Sequence, residues 1–116
     1  MDKAKTLDEL LKMNGVVTAF EFALDGKLVA HKAHASVPAE QAGMTAQFCA
    51  TITQLFNTLG GAYTKLSGAD WTPQHGWAYS GGKFSVCIGG TRGVYVETAR
   101  ADYNRLFEAL IGARPA

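Results

Sequence analysis

The chain has 116 residues, 47 % of them hydrophobic and 18 % charged, which is the length of one domain and the make-up of a folded protein. Charge falls below the roughly 25 % usual for globular chains. Eleven basic residues against ten acidic ones leave a net charge of +1, scattered without a basic stripe, so neither nucleic acid nor an anionic membrane is expected as a partner. With no signal-peptide core and no run of about 18 apolar residues, residues 1–116 read as a single cytoplasmic domain. Cys49 and Cys87 stand outside any C-x-x-C motif and inside apolar patterns, the expectation for two buried, reduced thiols.

Along the chain, Thr6 and Glu9 make a capping box ahead of Leu7, Leu10 and Leu11, and Gly15 follows, which predicts a short first helix. Val16, Thr18, Phe20, Phe22 and Leu24 then alternate up to Asp25-Gly26, a strong hairpin signal. A two-residue turn there predicts Phe22 opposite Val29 and Phe20 opposite His31.

Residues 39–66 carry Met44, Phe48, Ile52, Leu55, Phe56, Leu59, Tyr63 and Leu66 within about one third of a helix circumference, which predicts the main helix, with Pro38 at its start. Gly60-Gly61 predicts a weakening or break near its end. Glu40, Gln47, Thr51, Gln54, Thr58 and Lys65 form a polar strip, and Ala42, Ala46, Cys49, Thr53 and Gly60 a second strip of small residues. Small side chains admit a close neighbour, so one reading lays this second strip against another helix while the large residues cover the sheet. The other reading takes the alanines as helix formers only.

Beyond Ser67-Gly68, "WTPQHGWAYSGG", "KFSVCIGG" and "GVYVETA" predict three antiparallel strands joined by glycine turns, and "ADYNRLFEALIGA" a closing helix capped by Asp102. The order is α-β-β-α-β-β-β-α, an α+β domain with one five-stranded antiparallel sheet.

Chemistry-bearing patterns are sparse. The glycine pairs at 81–82 and 89–90 lie between strands, match neither a dinucleotide fingerprint nor a P-loop, and so read as turns. His31, His34 and His75 have no zinc-ligand spacing, and Ser80 lies in no nucleophile elbow. No catalytic, cofactor or metal residue is assigned, and the expectation is a non-enzyme without a cofactor. Trp71, Trp77 and Tyr79 share one face if their segment is extended, and Pro73 confines that segment to a sheet edge or a strand start. That face is either core under the long helix or a surface for pairing.

This pattern over nearly all of the chain, with its C-terminal half "WTPQHGWAYSGGKFSVCIGGTRGVYVETARADYNRLFEAL", resembles the roadblock/LC7 (dynein light chain) superfamily, of profilin-like fold, and within it a small bacterial stand-alone family of unknown function. The resemblance implies a symmetric homodimer in which an edge strand pairs with its copy and the long helices lie together. It places Trp77, Ala78 and Tyr79 on the strand interface and Ala42, Ala46, Cys49 and Thr53 on the helix interface. It also implies a scaffold or regulator of a small Ras-like GTPase or of a signalling or metabolic complex. Two other classes stay open: a small-molecule sensor with a ligand among Phe20, Phe22 and Trp77, and a small enzyme using Cys87 or a histidine.

Overall fold

The computed structural model describes residues 4–34 and 38–112. A short helix α1 (Leu7–Leu11) leads into strands β1 (Val16–Phe22) and β2 (Leu28–Ala33), the long helix α2 (Ala39–Ser67), strands β3 (Gly76–Ser80), β4 (Phe84–Gly89) and β5 (Arg92–Glu97), a 3₁₀ turn at Thr98–Arg100 and helix α3 (Tyr103–Ile111). The strands form one sheet in the order β2-β1-β5-β4-β3, antiparallel at every pairing. The expected α+β order is the observed one.

Local chemistry sets the ends of the elements. The Thr6 backbone N–H donates to Glu9 Oε1 at 2.9 Å and the Glu9 N–H to Thr6 Oγ1 at 3.2 Å, which closes the capping box of α1. Asp102 accepts from the Arg105 N–H at 3.2 Å and starts α3. Arg92 on β5 donates to the backbone oxygens of Lys5 and Leu110, tying the N-terminal segment and the end of α3 to the sheet. Burial pulls its guanidinium below the ordinary arginine range, and Glu21 partly offsets this.

The first hairpin departs from the expected turn. Ala23 N donates to Lys27 O at 2.8 Å and Gly26 N to Ala23 O at 2.9 Å, so the loop holds three residues, Leu24 to Gly26, with Gly26 at φ 96. Phe20 pairs with His31 as expected, but a register shift puts Phe22 opposite Leu28 instead of Val29. The three-residue loop is offset by a bulge at Val29, between the pairs Glu21–Ala30 and Phe22–Leu28, which restores the expected register from Glu21 onward.

Two layers of core lie on opposite faces of the sheet. On one, α1 and α3 bury Leu10, Leu106, Ala109 and Leu110 against Val16, Ala19, Cys87, Val94 and Val96. On the other, α2 alone buries Ala46, Cys49 and Ala50 against Phe20, Phe22 and Ile88. Gly93 makes this second layer possible, because a Cβ there would overlap the Phe20 ring and Ile88.

Helix α2 connects β2 at one edge of the sheet to β3 at the other. Its 29 residues run without the break expected at Gly60-Gly61. Gly60 is a point of close approach: a Cβ there would stand 3.0 Å from the carbonyl oxygen of Trp71, in the segment that returns beneath the helix. At Gly61 an added Cβ meets nothing within 4 Å. Gly61→Ala is therefore expected to raise stability by about 0.5–1 kcal/mol, whereas Gly60→Ala gives no gain; paired urea titrations check both.

Candidate functional site: the outer face of the long helix

The face that α2 turns to the sheet is the opposite of the expected one. Ala42, Ala46, Cys49, Ala50 and Thr53 are at most 6 % exposed, packed over the aromatic side chains of the sheet. Met44, Phe48, Leu55, Phe56, Leu59, Tyr63 and Leu66 are instead 36 % to 85 % exposed. The cause is volume. Phe20, Phe22, Ile88, Trp77 and Tyr95 already fill the helix-facing side of the sheet, so the helix above them has room for small residues only. The small strip is thus spent on the domain's own sheet, and the surface free for a second helix is the large apolar row.

Three contacts fix the rotation of α2. At about 100° per residue, Gln54 and Phe56 lie about 80° to either side of Ala46, and Leu55 lies opposite it. Gln54 Nε2 donates to Leu24 O at 2.7 Å, so the polar flank faces the β1–β2 loop. Phe56 meets Trp77 with ring centroids 5.8 Å apart, and Tyr63 meets Trp71 at 4.8 Å, so the apolar flank faces the β3 side. The large row therefore runs from the top of the helix down towards β3, an edge strand with one neighbour in the sheet.

The residues singled out on β3 divide between own core and surface. Trp77 is part-buried, its Nε1–H donating to Thr53 Oγ1 at 2.9 Å, which also satisfies that buried hydroxyl. Tyr79 is 64 % exposed on the same face, and Phe84 of the next strand is 53 % exposed. Ala78 is exposed on the other face, paired in register with Cys87. Gln74 Oε1, two residues before β3, is buried without a hydrogen-bond partner among the described residues.

Between Glu40 and Lys65 no charged residue occurs on α2. Among the described residues no helix is long and apolar enough to cross a membrane.

The alternatives meet a filled interior. Phe20, Phe22 and Trp77, where a sensor ligand is expected, pack in the core beneath α2 with Ala46, Cys49 and Ala50, and the cavity beside Phe20, bounded by Thr18, Leu28, His31, Ala42, Thr45 and Tyr95, holds about 10 Å³, room for about one water. His31 lies exposed on β2, His34 donates to Leu11 O at 2.9 Å, and His75 precedes β3 at the far edge. Among the described residues no group of three His, Cys, Asp or Glu side chains is arranged to hold a metal. A larger open groove of about 860 Å³ between α1 and α3 is lined by Arg100, Asp102, Arg105 and Glu9. These four charges are engaged locally, Arg100 with Glu97, Arg105 with Asp102 and Glu9 with Thr6, while Lys5 and Glu108 also line the groove.

Both thiols are buried, and loss of solvent pushes each from 9.0 up to about 12. A raised pKa keeps them neutral and unreactive at physiological pH. It also means that their share of stability is intact below pH 9 and lost as pH rises from 9 towards 12. Ellman's reagent at pH 8 is expected to find no reactive thiol in the native protein and two after unfolding.

Comparison with solved structures identifies the fold. The gliding protein MglB of Thermus thermophilus superposes with TM-score 0.67 at 19 % identity, over 90 % of this chain and 82 % of that one. A roadblock/LC7 domain from Streptomyces avermitilis gives 0.69 at 13 % identity, over 87 % and 81 %. Myxococcus xanthus MglB gives 0.63 at 18 % identity, over 88 % and 79 %. The fold is that of roadblock/LC7 domains, as the sequence resemblance implies. No curated protein matches the sequence. The model of an uncharacterized conserved protein family, DUF2173, matches residues 6–111.

Proposed function

We propose that the chain, which belongs to the uncharacterized conserved protein family DUF2173, is a non-enzymatic cytoplasmic scaffold or regulator that works as a homodimer. The observation that carries the reading is the outer face of α2, a row of seven large apolar side chains, six of them in the charge-free stretch between Glu40 and Lys65, continuous with an edge strand that bears exposed Tyr79. Permanent homodimer interfaces are more apolar and poorer in charge than surfaces that meet a partner only intermittently. An open strand edge also needs cover, or it pairs indiscriminately.

The interface proposed here keeps Ala78 and Tyr79 on the strand side but moves on the helix. Ala42, Ala46, Cys49 and Thr53 support α2 from below, and Trp77 anchors it to β3 through Thr53. Phe56, Leu59 and Tyr63, on the β3 side of the helix, meet the partner helix. The buried, neutral thiols are of no use as nucleophiles, and a scaffold needs none. For the partner beyond the dimer, the roadblock resemblance points to a small Ras-like GTPase, whose nucleotide cycle the dimer would adjust.

Sedimentation velocity at micromolar concentration is expected to show assembly of at least two copies. The double substitution Leu59→Glu with Tyr79→Glu, at sites exposed in the single chain, is expected to cut the mass at least by half with circular dichroism unchanged. A wild type that stays strictly monomeric contradicts the proposal. For the partner, adding the protein to Ras-like GTPases of the source organism is expected to change the GTP hydrolysis or exchange rate of one of them.

A further inference from the structure

We infer that the groove between the α2–β3 connection and helix α3 binds a small organic cation, an ammonium group carried on an apolar body. The site goes beyond the assembly proposed above and does not depend on it, since no residue of α2 lines this groove.

Residues 70–76 carry the chain from the end of α2 into β3, and a groove of about 600 Å³ opens between this segment and Phe107 and Ile111 of α3. That is room for a small ligand. Backbone contacts hold its walls in place. The Trp71 N–H donates to Thr64 Oγ1 at 2.9 Å and Tyr63 lies against the indole at 4.8 Å between centroids, so Trp71 is fixed at the rim while 53 % exposed. At the other end His75 O accepts from the Gly90 N–H at 3.1 Å, and Gly76 leaves space for the Phe107 ring, which an added Cβ would meet at 2.9 Å. An indole and a phenyl ring thus flank one preformed groove.

Charge selects the ligand. The other large groove, between α1 and α3, is lined by three cationic side chains, Lys5, Arg100 and Arg105, and three anionic ones, Glu9, Asp102 and Glu108, and so favours neither sign. The groove beside Trp71 has the Asp70 carboxylate and neither lysine nor arginine among its lining residues. Asp70 Oδ1 accepts from the Thr72 N–H at 3.2 Å, which orients the side chain, and among the described residues the carboxylate has no ion-pair partner. The backbone adds to the same sign. Helix α2 ends at Ser67, just ahead of Asp70, α3 ends at Ile111 in the groove wall, and a helix C-terminus carries about half a negative charge. Lys65 in the last turn of α2 and Arg92, which donates to Leu110 O, offset part of this without lining the groove. Gln74 Oε1, buried in the same segment without a donor among the described residues, leaves one more negative partial charge uncompensated. A carboxylate and aromatic rings together are the complement of an organic ammonium ion, whereas the same set repels an anion.

Proton–nitrogen correlation spectra of the full chain, titrated with phenethylammonium, test the inference. Saturable shifts are expected at the amides of Asp70, Trp71 and His75 and at the Trp71 indole N–H, with a Kd on the order of 1 mM. The neutral isostere phenethyl alcohol is expected to bind at least about tenfold more weakly, and the anionic hydrocinnamate not to bind. Asp70→Asn keeps an acceptor for Thr72 and removes the charge, and is expected to lower the affinity for phenethylammonium about tenfold with the remaining resonances unchanged. If that variant fails to fold, which its spectrum reports directly, the comparison of the three probes on the wild type decides. Absence of saturable shifts at these residues, equal affinity for the alcohol, or an Asp70→Asn variant that binds as the wild type does overturns the site. Shifts confined to Leu55, Leu59 and their neighbours on the outer face of α2 overturn it as well, because the probe would then only coat exposed apolar surface.

Discussion

The match of volumes between α2 and the sheet beneath it decides the rest of the structure. Phe20, Phe22 and Ile88 project from the strands, with Trp77 and Tyr95 beside them, and Gly93 is left without a side chain so that two of them fit. Over such a surface a helix approaches closely only through small residues, which Ala42, Ala46, Cys49, Ala50 and Thr53 supply. Once that contact is made, rotation of the helix is fixed, and every large side chain on it points sideways or outward.

That outward row has an energetic consequence. Burying a Leu or Phe side chain contributes about 1.5–3 kcal/mol, so seven side chains held roughly half in water represent on the order of 5–10 kcal/mol of burial not realised by one copy. The quantity approaches the whole folding stability of a typical domain, about 5–15 kcal/mol. A chain with few charges and such a row on its longest helix gains stability by covering it, which is what the proposed dimer does. The low charge fraction of the sequence and the exposed face of the structure are the same fact seen twice.

Much of the fold was legible because it follows from local rules. The capping box at Thr6 and Glu9, the Asp102 cap, the glycine turns and the alternation in β1 and β4 each specify their element within a few residues. The face of α2 was not, because periodicity reveals an apolar row without saying what it meets. Hydrophobicity ranks Phe48 and Leu55 above Ala46, whereas the interior ranks by fit. The signal was present across the layer, in two phenylalanines on alternate positions of β1, and it needed the sheet order to be read. Gly60 follows the same logic: locally it reads as a helix breaker, and only the return of Trp71 beneath the helix gives it a packing role. The strand aromatics divided for a similar reason, Trp77 finding Thr53 while Tyr79 lies beyond the cover of the helix.

The proposed functional surface is one of assembly, and its orientation is the central claim. Isotope-filtered nuclear Overhauser spectroscopy on a mixture of labelled and unlabelled copies reads that orientation directly. The account predicts contacts between copies at the Leu59 methyls and the Phe56 ring, with Ala42 and Ala46 in contact only with Phe20, Phe22 or other groups of their own chain. Contacts between copies at the Ala42 or Ala46 methyls, with none at Leu59, would contradict it.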